Sequence, residues 1–471
     1  MNENIFSSMD FGPLKEFLES DDVTDVSYSN NGQLWLRTLS KGIYRVERPD
    51  INNALMEKLA FQCANAMGTT FNMAHPFLDA ESAELRLNFV HNSIARNGIA
   101  VVLRKTPAKI RLEKSKIIAD RYITEDIHNF LIECVHGHCN IIVSGETGSG
   151  KTELVKYLAA QTKEDEKIIT IEDTLELHLD RIFPHRDIVA MKTNNIASYS
   201  EVLVTCMRQN PKWILLSEVR SAEAVTAVRN SISSGHNILS TIHADKAASI
   251  PNRLYSLLES NLEIDQFLRS ICRYVQLGVH VRGYQDPRTK AFRREVCEVT
   301  EFFVDDNNEA GSNTIFLKTR DGKIYRKNPT KYLLDYLSIQ GVELTMPKVD
   351  EKGIEYHETQ PDVVPSSTNV QGASQSLSVN PPVSNGTVVT QTAQTAQQSP
   401  MSTAVHQPEV QTVSRPTPTV TTTFDPLKRA VPPQVGPAPT MSAQSSVTQP
   451  MSGSTTMNQQ PIYPGNSNPV Q

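Results

Sequence analysis

Two groups of residues in this chain are spaced for chemistry on a phosphate chain. The first is Gly145-Glu146-Thr147-Gly148-Ser149-Gly150-Lys151-Thr152, a G-x-x-x-x-G-K-[ST] pattern. Its glycines let the backbone curl until several N–H groups point into one concavity, which favours an anion. Lys151 is then placed for the outer phosphates of a nucleoside triphosphate, and the Thr152 hydroxyl for Mg²⁺. The second group is three polar stretches that follow apolar runs: Thr170-Ile-Glu172-Asp173, Trp213-Ile-Leu-Leu-Ser-Glu218, and Gly235 to His243. A carboxylate at Glu218 can order an attacking water or a magnesium-bound water. Glu172 and Asp173 are expected to face the nucleotide, and Thr241 and His243 to sense the last phosphate or stabilise developing charge. Each has a plainer alternative, Glu172 as a helix cap and His243 as a structural histidine.

These residues need strand tips to hold them. Asn140-Ile-Ile-Val-Ser144 reads as a strand and Glu153 to Ala160 as a helix, so the loop lies between strand and helix. Strands are expected at 167–171, 213–217 and 236–242, and helices at 124–135, 199–209 and 222–234. Near-continuous apolar strands alternating with helices mean a parallel sheet covered on both faces. Ligands bind at the C-terminal ends of such strands. Tyr274–Val281 and Arg294–Val304 read as antiparallel additions at one edge.

Upstream, residues 1–108 read as a smaller α+β domain. Val23–Tyr28 and Gln33–Arg37 flank Asn30-Asn-Gly32, a hairpin signal. Ala54–Met67 is predicted helical, with Gly68 as its stop. Glu84–Phe89 alternates, putting Leu85, Leu87 and Phe89 on one face and Arg86 on the other. Gly98–Leu103 is a buried strand that delivers Arg104. Residues 109–123 read as a charged interdomain linker and 124–349 as the nucleotide-binding domain. Residues 350–471, rich in Ser, Thr, Gln and Pro, read as a disordered tail. Within the tail, Phe424-Asp-Pro-Leu-Lys-Arg429 is either a docking motif for a partner or mere punctuation.

The net charge of −6 supplies no basic field, and no basic stripe is interleaved with aromatics, so no specific nucleic acid is expected. The 6 cysteines have no regular spacing, which suits reduced thiols in the cytoplasm. Neither a leader-like N-terminus nor a membrane-length apolar run is evident. Cys134-Val-His-Gly-His-Cys139 has metal-capable side chains, but a strand start would splay them to opposite faces, so no zinc is expected.

With these motifs in place, residues 20 to about 280 resemble the ATPases of type II and type IV secretion systems and type IV pili. The shared motifs are the phosphate loop, an acidic box (Glu172-Asp-Thr-Leu-Glu176), a glutamate-bearing second motif (Glu218-Val-Arg220) and a histidine box (Gly235–His243). The opening Val23–Tyr28 with Leu34-Trp-Leu36 looks most like the conjugation and effector-export branch. The resemblance implies an α/β fold: a RecA-like P-loop ATPase core, a smaller α+β N-terminal domain and a disordered C-terminal tail. It also implies a homohexamer that uses ATP and Mg²⁺, with nucleotide held between the two domains. Arg86 and Arg104 match arginines that reach the phosphates when the domains close. Such a protein would sit in the cytoplasm against the inner membrane, docked on secretion or pilus machinery. A pilus motor, a nucleic-acid translocase and an ATP-binding scaffold are the alternatives. Asn210-Pro-Lys212, Ser217 and the short histidine box depart from the usual motifs, and the four-cysteine module of many type II members is missing.

Overall fold

The computed structural model describes residues 9–82, 84–193, 197–258 and 263–357, and the Phe424–Arg429 island lies outside them. The described chain builds two sheets. The first has 6 strands in the order β3-β2-β1-β6-β5-β4. These are β1 (Val23–Ser29), β2 (Gln33–Thr38), β3 (Gly42–Val46), β4 (Phe77–Glu81), β5 (Leu85–Val90) and β6 (Ala100–Lys105), all paired antiparallel. Alternation gives the sheet one apolar face. Val26, Tyr28, Leu34, Leu36, Leu87, Phe89, Val101 and Leu103 turn inward against Met56, Leu59, Ala60 and Cys63 of the helix Asn53–Ala66. The opposite face is left for polar work.

The second sheet has 10 strands in the order β16-β15-β14-β13-β12-β7-β11-β10-β8-β9. β7 (Ile141–Ser144), β8 (Ile168–Glu172), β9 (Ile188–Lys192), β10 (Trp213–Val219), β11 (Asn237–Ile242) and β12 (Leu277–Gln285) run parallel. β13 (Phe292–Val304), β14 (Ala310–Lys318), β15 (Lys323–Arg326) and β16 (Ile354–His357) extend it antiparallel. Both faces of the parallel part are buried, as its apolar runs demand. Ile141, Val143 and Leu215 pack with the helices Glu125–His136 and Lys151–Ala159. Ile142, Ile169, Ile171, Ile214 and Leu216 pack on the other side, with Tyr199–Met207 and Ala222–Ser233.

Four features differ from the expectations. The segment 109–123 carries a helix, Lys114–Ala119, and buries Ile117 and Tyr122 in the core of the second sheet. Its charges mask apolar anchors too few to show a period. The strand over Tyr274–Val281 starts later, at Leu277, and joins β7 in parallel, so the antiparallel extension begins only at β13. β3, β4 and β9 were not anticipated. Structure also continues past Val349, because β16 pairs with β15 through Ile354–Arg326 and Lys323–His357. None of the described helices is long and apolar enough to cross a membrane.

Candidate functional site

The phosphate loop leaves β7 in the middle of the parallel sheet. Gly145, Gly148 and Gly150 all take positive φ, of 152°, 79° and 97°. A Cβ at Gly145 would lie 2.2 Å from the Val281 carbonyl oxygen, and one at Gly148 would lie 2.0 Å from the Arg37 guanidinium. Only glycine fits these positions, which explains the spacing in the sequence. Gly150 caps the helix Lys151–Ala159, whose N-terminus adds about half a positive charge. The Ser149 hydroxyl is buried with no hydrogen-bond partner among the described residues. The Lys151 ammonium, largely buried, donates to the Glu146 carbonyl at 3.1 Å. Burial pulls its pKa down, and Glu218 opposes that shift.

Beside this loop stand the strand tips. Glu218, on β10, lies 2.9 Å through Oε1 from Nε2 of His243, which follows β11. The same Nε2 is 3.5 Å from the Lys151 ammonium. Burial first, then Lys151, holds the His243 pKa below its ordinary value. Lys151, His243 and Glu218 therefore form one cluster, as their strand positions suggested. Thr241 does not join it, since it is buried and its hydroxyl donates to the Ser217 carbonyl at 2.6 Å.

The acidic box is arranged differently from the expectation. Glu172 is fully buried, and the partners of its carboxylate are in its own strand and the turn after it rather than in the phosphate loop. Its Oε2 accepts the backbone N–H groups of Glu176 at 2.8 Å and Leu177 at 3.0 Å, and its Oε1 accepts the Thr170 hydroxyl at 3.0 Å. Burial pushes its carboxyl up to about 7 despite these bonds. Where it was expected to face the nucleotide, Glu172 is engaged as the hub of a backbone turn. Asp173 is also occupied, in an ion pair with Arg220. The carboxylate that the turn delivers to the loop is Glu176, whose Oε2 accepts the Thr152 hydroxyl at 3.2 Å. Glu176 belongs to the quoted motif, but sequence alone does not say which of its three carboxylates points inward.

From the first sheet comes a single rung of charged residues. Register places Arg37 opposite Asp25, Asp25 opposite Arg104, Arg104 opposite Arg86, and Arg86 opposite Glu81. Cross-strand neighbours share a face, so these side chains lie on the polar side. At one end, Arg37 donates to the Thr147 carbonyl of the phosphate loop at 3.2 Å. At the other, Glu81 accepts the Leu175 N–H at 3.2 Å and pairs with Lys192. Between them, Arg104 is bonded to Asp25 at 2.9 Å, and Asp25 is 4.0 Å from Arg37. One carboxylate thus serves two guanidiniums. Arg104 lines the cavity of about 520 Å³ that adjoins the loop, together with Arg37, Arg111, Lys151, Thr152 and Glu176. Arg86 is on the rung but not among the residues that line this cavity. Arg37 and Glu176 escaped the sequence reading. Alternation did set Arg37 opposite Leu34 and Leu36, but its neighbour in space is given only by strand pairing.

The cavity suits a magnesium nucleotide on the donors present. A glycine cradle, an orphaned Ser149 hydroxyl and an excess of cations fit a polyphosphate. Thr152 beside Glu176 fits a hydrated Mg²⁺ that takes few protein ligands. His138 of the cysteine–histidine stretch is engaged elsewhere, at 2.7 Å from Glu166 and beside the ring of Trp213.

The sequence model of the family described as "Type II/IV secretion system protein" matches residues 77–330. The chain belongs to that family. Among its relatives, an uncharacterized protein of Bacillus anthracis is 27% identical over 307 residues, 64% of this chain and 69% of that one. The type IV secretion system protein VirB11 of Bartonella quintana is 36% identical over 151 residues, 31% of this chain. The match spans 41% of the length of that VirB11. Among solved structures, the VirB11 ATPase from the Brucella suis type IV secretion system is 24% identical. It aligns over 61% of this chain and 91% of its own, at a TM-score of 0.33. The match to residues 77–330 takes in the phosphate loop, the acidic box, Glu218 and the histidine box.

Proposed function

We propose that this family member is a Mg²⁺-dependent ATPase that works as a homohexamer and energises substrate transfer or assembly of a type IV secretion or conjugation apparatus. It acts in the cytoplasm, docked on machinery at the inner face of the membrane. The observation that carries the reading is the convergence on one loop of the Lys151–His243–Glu218 cluster and the Arg37–Asp25–Arg104 rung. A phosphate loop alone binds nucleotide; a carboxylate and a set of second cations beside it can drive hydrolysis.

In this reading residues 145–152 cradle the phosphates, with Lys151 on the outer ones. Thr152 and Glu176 would hold Mg²⁺, which neutralises charge on the phosphate oxygens. Glu218 orients the attacking water and accepts its proton, and His243 fixes the Glu218 carboxylate at 2.9 Å. Arg104, released from Asp25, and Arg37 meet phosphate charge when residues 1–108 close on residues 124–349. Arg86 supports that rung. Glu172 and Asp173 act indirectly, one by shaping the turn that presents Glu176, the other by holding Arg220.

The test separates binding from turnover. Lys151→Ala is expected to lose nucleotide binding, whereas Glu218→Gln should bind ATP and lower phosphate release at least about a hundredfold. Near-wild-type hydrolysis by Glu218→Gln would remove Glu218 from its role. Mass measurement of the Glu218→Gln protein with ATP tests for the hexamer.

A further inference from the structure

The hairpin formed by β12 and β13 reaches back to the phosphate loop, and no motif in the sequence marks it. Gly283 of β12 comes so near Ser149 that a Cβ there would lie 3.5 Å from the Ser149 Cα. Phe292, at the start of β13, fills the space beside Gly42 and Gly283, and its N–H donates to the Ser40 carbonyl at 2.7 Å. Two residues on, Arg294 takes two backbone carbonyls far apart in sequence. Its Nε donates to the Gly148 carbonyl at 3.2 Å and its Nη1 donates to the Leu39 carbonyl at 3.1 Å. The guanidinium also lies over the Phe292 ring, 4.7 Å from its centroid.

No carboxylate pairs with Arg294 among the described residues. Burial, with Arg111 and Arg37 nearby, keeps its pKa below the ordinary value for arginine. A half-buried cation with no ion-pair partner carries a desolvation cost unless another group repays it. Here the return is geometric. With Arg37 on the Thr147 carbonyl and Arg294 on the Gly148 carbonyl, two consecutive carbonyls of the loop are held by guanidiniums. This leaves the loop's N–H groups to the ligand.

We propose that Arg294 is a positioning residue for nucleotide binding, holding the phosphate loop in its anion-ready shape and tying it to the β2–β3 turn. The proposal rests on the reading of the loop as a nucleotide site. Arg294 grips the Gly148 end of the loop, whereas the reacting end is at Lys151 and Glu218. Its loss therefore weakens ground-state binding more than the chemical step. A planar guanidinium reaches both carbonyls, and a lysine ammonium is a single point.

The experiment compares wild type, Arg294→Gln, Arg294→Lys and Lys151→Ala in the full chain. Expected for Arg294→Gln are a Kd for a fluorescent ADP analogue and a KM for ATP raised about tenfold, with kcat within about twofold and Tm unchanged. Arg294→Lys should recover less than half of the lost affinity on a logarithmic scale. In nucleotide-free protein, amide exchange over residues 145–152 should quicken about tenfold in Arg294→Gln. Unchanged exchange overturns the proposal whether or not the protein binds nucleotide. So does a lowered Tm with wild-type Kd, or full recovery by lysine. If wild type and Lys151→Ala alike bind no nucleotide while exchange still quickens, the functional reading fails and the positioning of the loop stands.

Discussion

The two sheets bring residues to the same loop by different geometry. In the parallel part of the ten-stranded sheet both faces are buried, so the polar groups that reach the loop stand at strand ends, where Glu218 and His243 meet Lys151 at the start of the helix after β7. In the six-stranded sheet one face is free, and the cations stand along a rung that crosses five strands from Arg37 to Glu81. Tip residues are neighbours of motifs, and their spacing survives in one dimension. Rung residues are neighbours only after strands pair, and Arg37 and Arg104 are 67 positions apart by their numbers. The fixed tips suit bond-making chemistry. The rung would suit control if, as proposed, Arg104 exchanges Asp25 for phosphate.

The largest effect that sharpens this contrast is at a tip residue that the proposed function places outside the chemical step. Glu172→Ala would leave the N–H groups of Glu176 and Leu177 and the Thr170 hydroxyl without their acceptor. Each orphaned buried donor costs about 1–3 kcal/mol, so about 3 kcal/mol of stability should be lost in a denaturant titration. ATPase activity should fall with it, because the turn that presents Glu176 opens. Glu172→Gln keeps an acceptor. Since burial raises the Glu172 carboxyl to about 7 from 4.5, ionisation opposes folding, and wild type loses that stability as pH rises between those values. Glu172→Gln should therefore gain on wild type from pH 5 to 8. A Glu172→Gln variant that folds stably yet cannot hydrolyse ATP would return Glu172 to the chemistry.

A smaller effect is expected on the rung. Arg104→Ala should lower kcat about tenfold, a barrier rise of about 1.4 kcal/mol, with little change in stability. The Arg104–Asp25 pair is partly exposed, and such pairs contribute under about 1 kcal/mol. Arg86→Ala should fall short of that, because Arg86 does not line the cavity. Equal losses for the two variants would mean that the rung acts as a unit. Wild-type turnover in the double variant would refute the closure mechanism and leave the phosphate loop untouched.

What was legible in the sequence follows the same divide. The loop glycines announce themselves because a Cβ would strike Val281 or Arg37, so residue type alone carries the geometry. Strand tips follow from apolar runs that end in a polar residue, which placed Glu218 and His243 together. The acidic box was half legible: its location was clear, but only backbone hydrogen bonds distinguish Glu172, turned inward, from Glu176, turned to Thr152. Arg294 was invisible, because its partners Gly148 and Leu39 are brought to it by a hairpin whose sequence has no distinguishing residue. β16 was missed because a four-residue edge strand, exposed throughout, is too short for its Ile354–Tyr356 alternation to stand out.

The smallest effect lies at the end of the acidic-box turn and is read in pH alone. His178 is buried, with φ of 49°, and its pKa is pulled down to about 4, chiefly by burial and then by Lys156 and Arg181. An unfolded histidine titrates near 6.5, so between those values the unfolded chain binds a proton that the folded one refuses. Stability is therefore full above pH 6.5 and lost as pH falls toward 4. One such group changes stability by at most about 1.4 kcal/mol per pH unit, so about 1 kcal/mol should vanish between pH 7 and 5.5. Glu172, in the same turn, works in the opposite sense over nearly the same range, and the two partly cancel in wild type. The difference between wild type and His178→Asn isolates the histidine, since asparagine tolerates the left-handed backbone and does not titrate. Chemical denaturation at pH 7 and 5.5 should show His178→Asn losing about 1 kcal/mol less than wild type. Identical losses in the two proteins would mean that the His178 ring takes its proton without disturbing the turn, and that the acidic box is held by Glu172 alone.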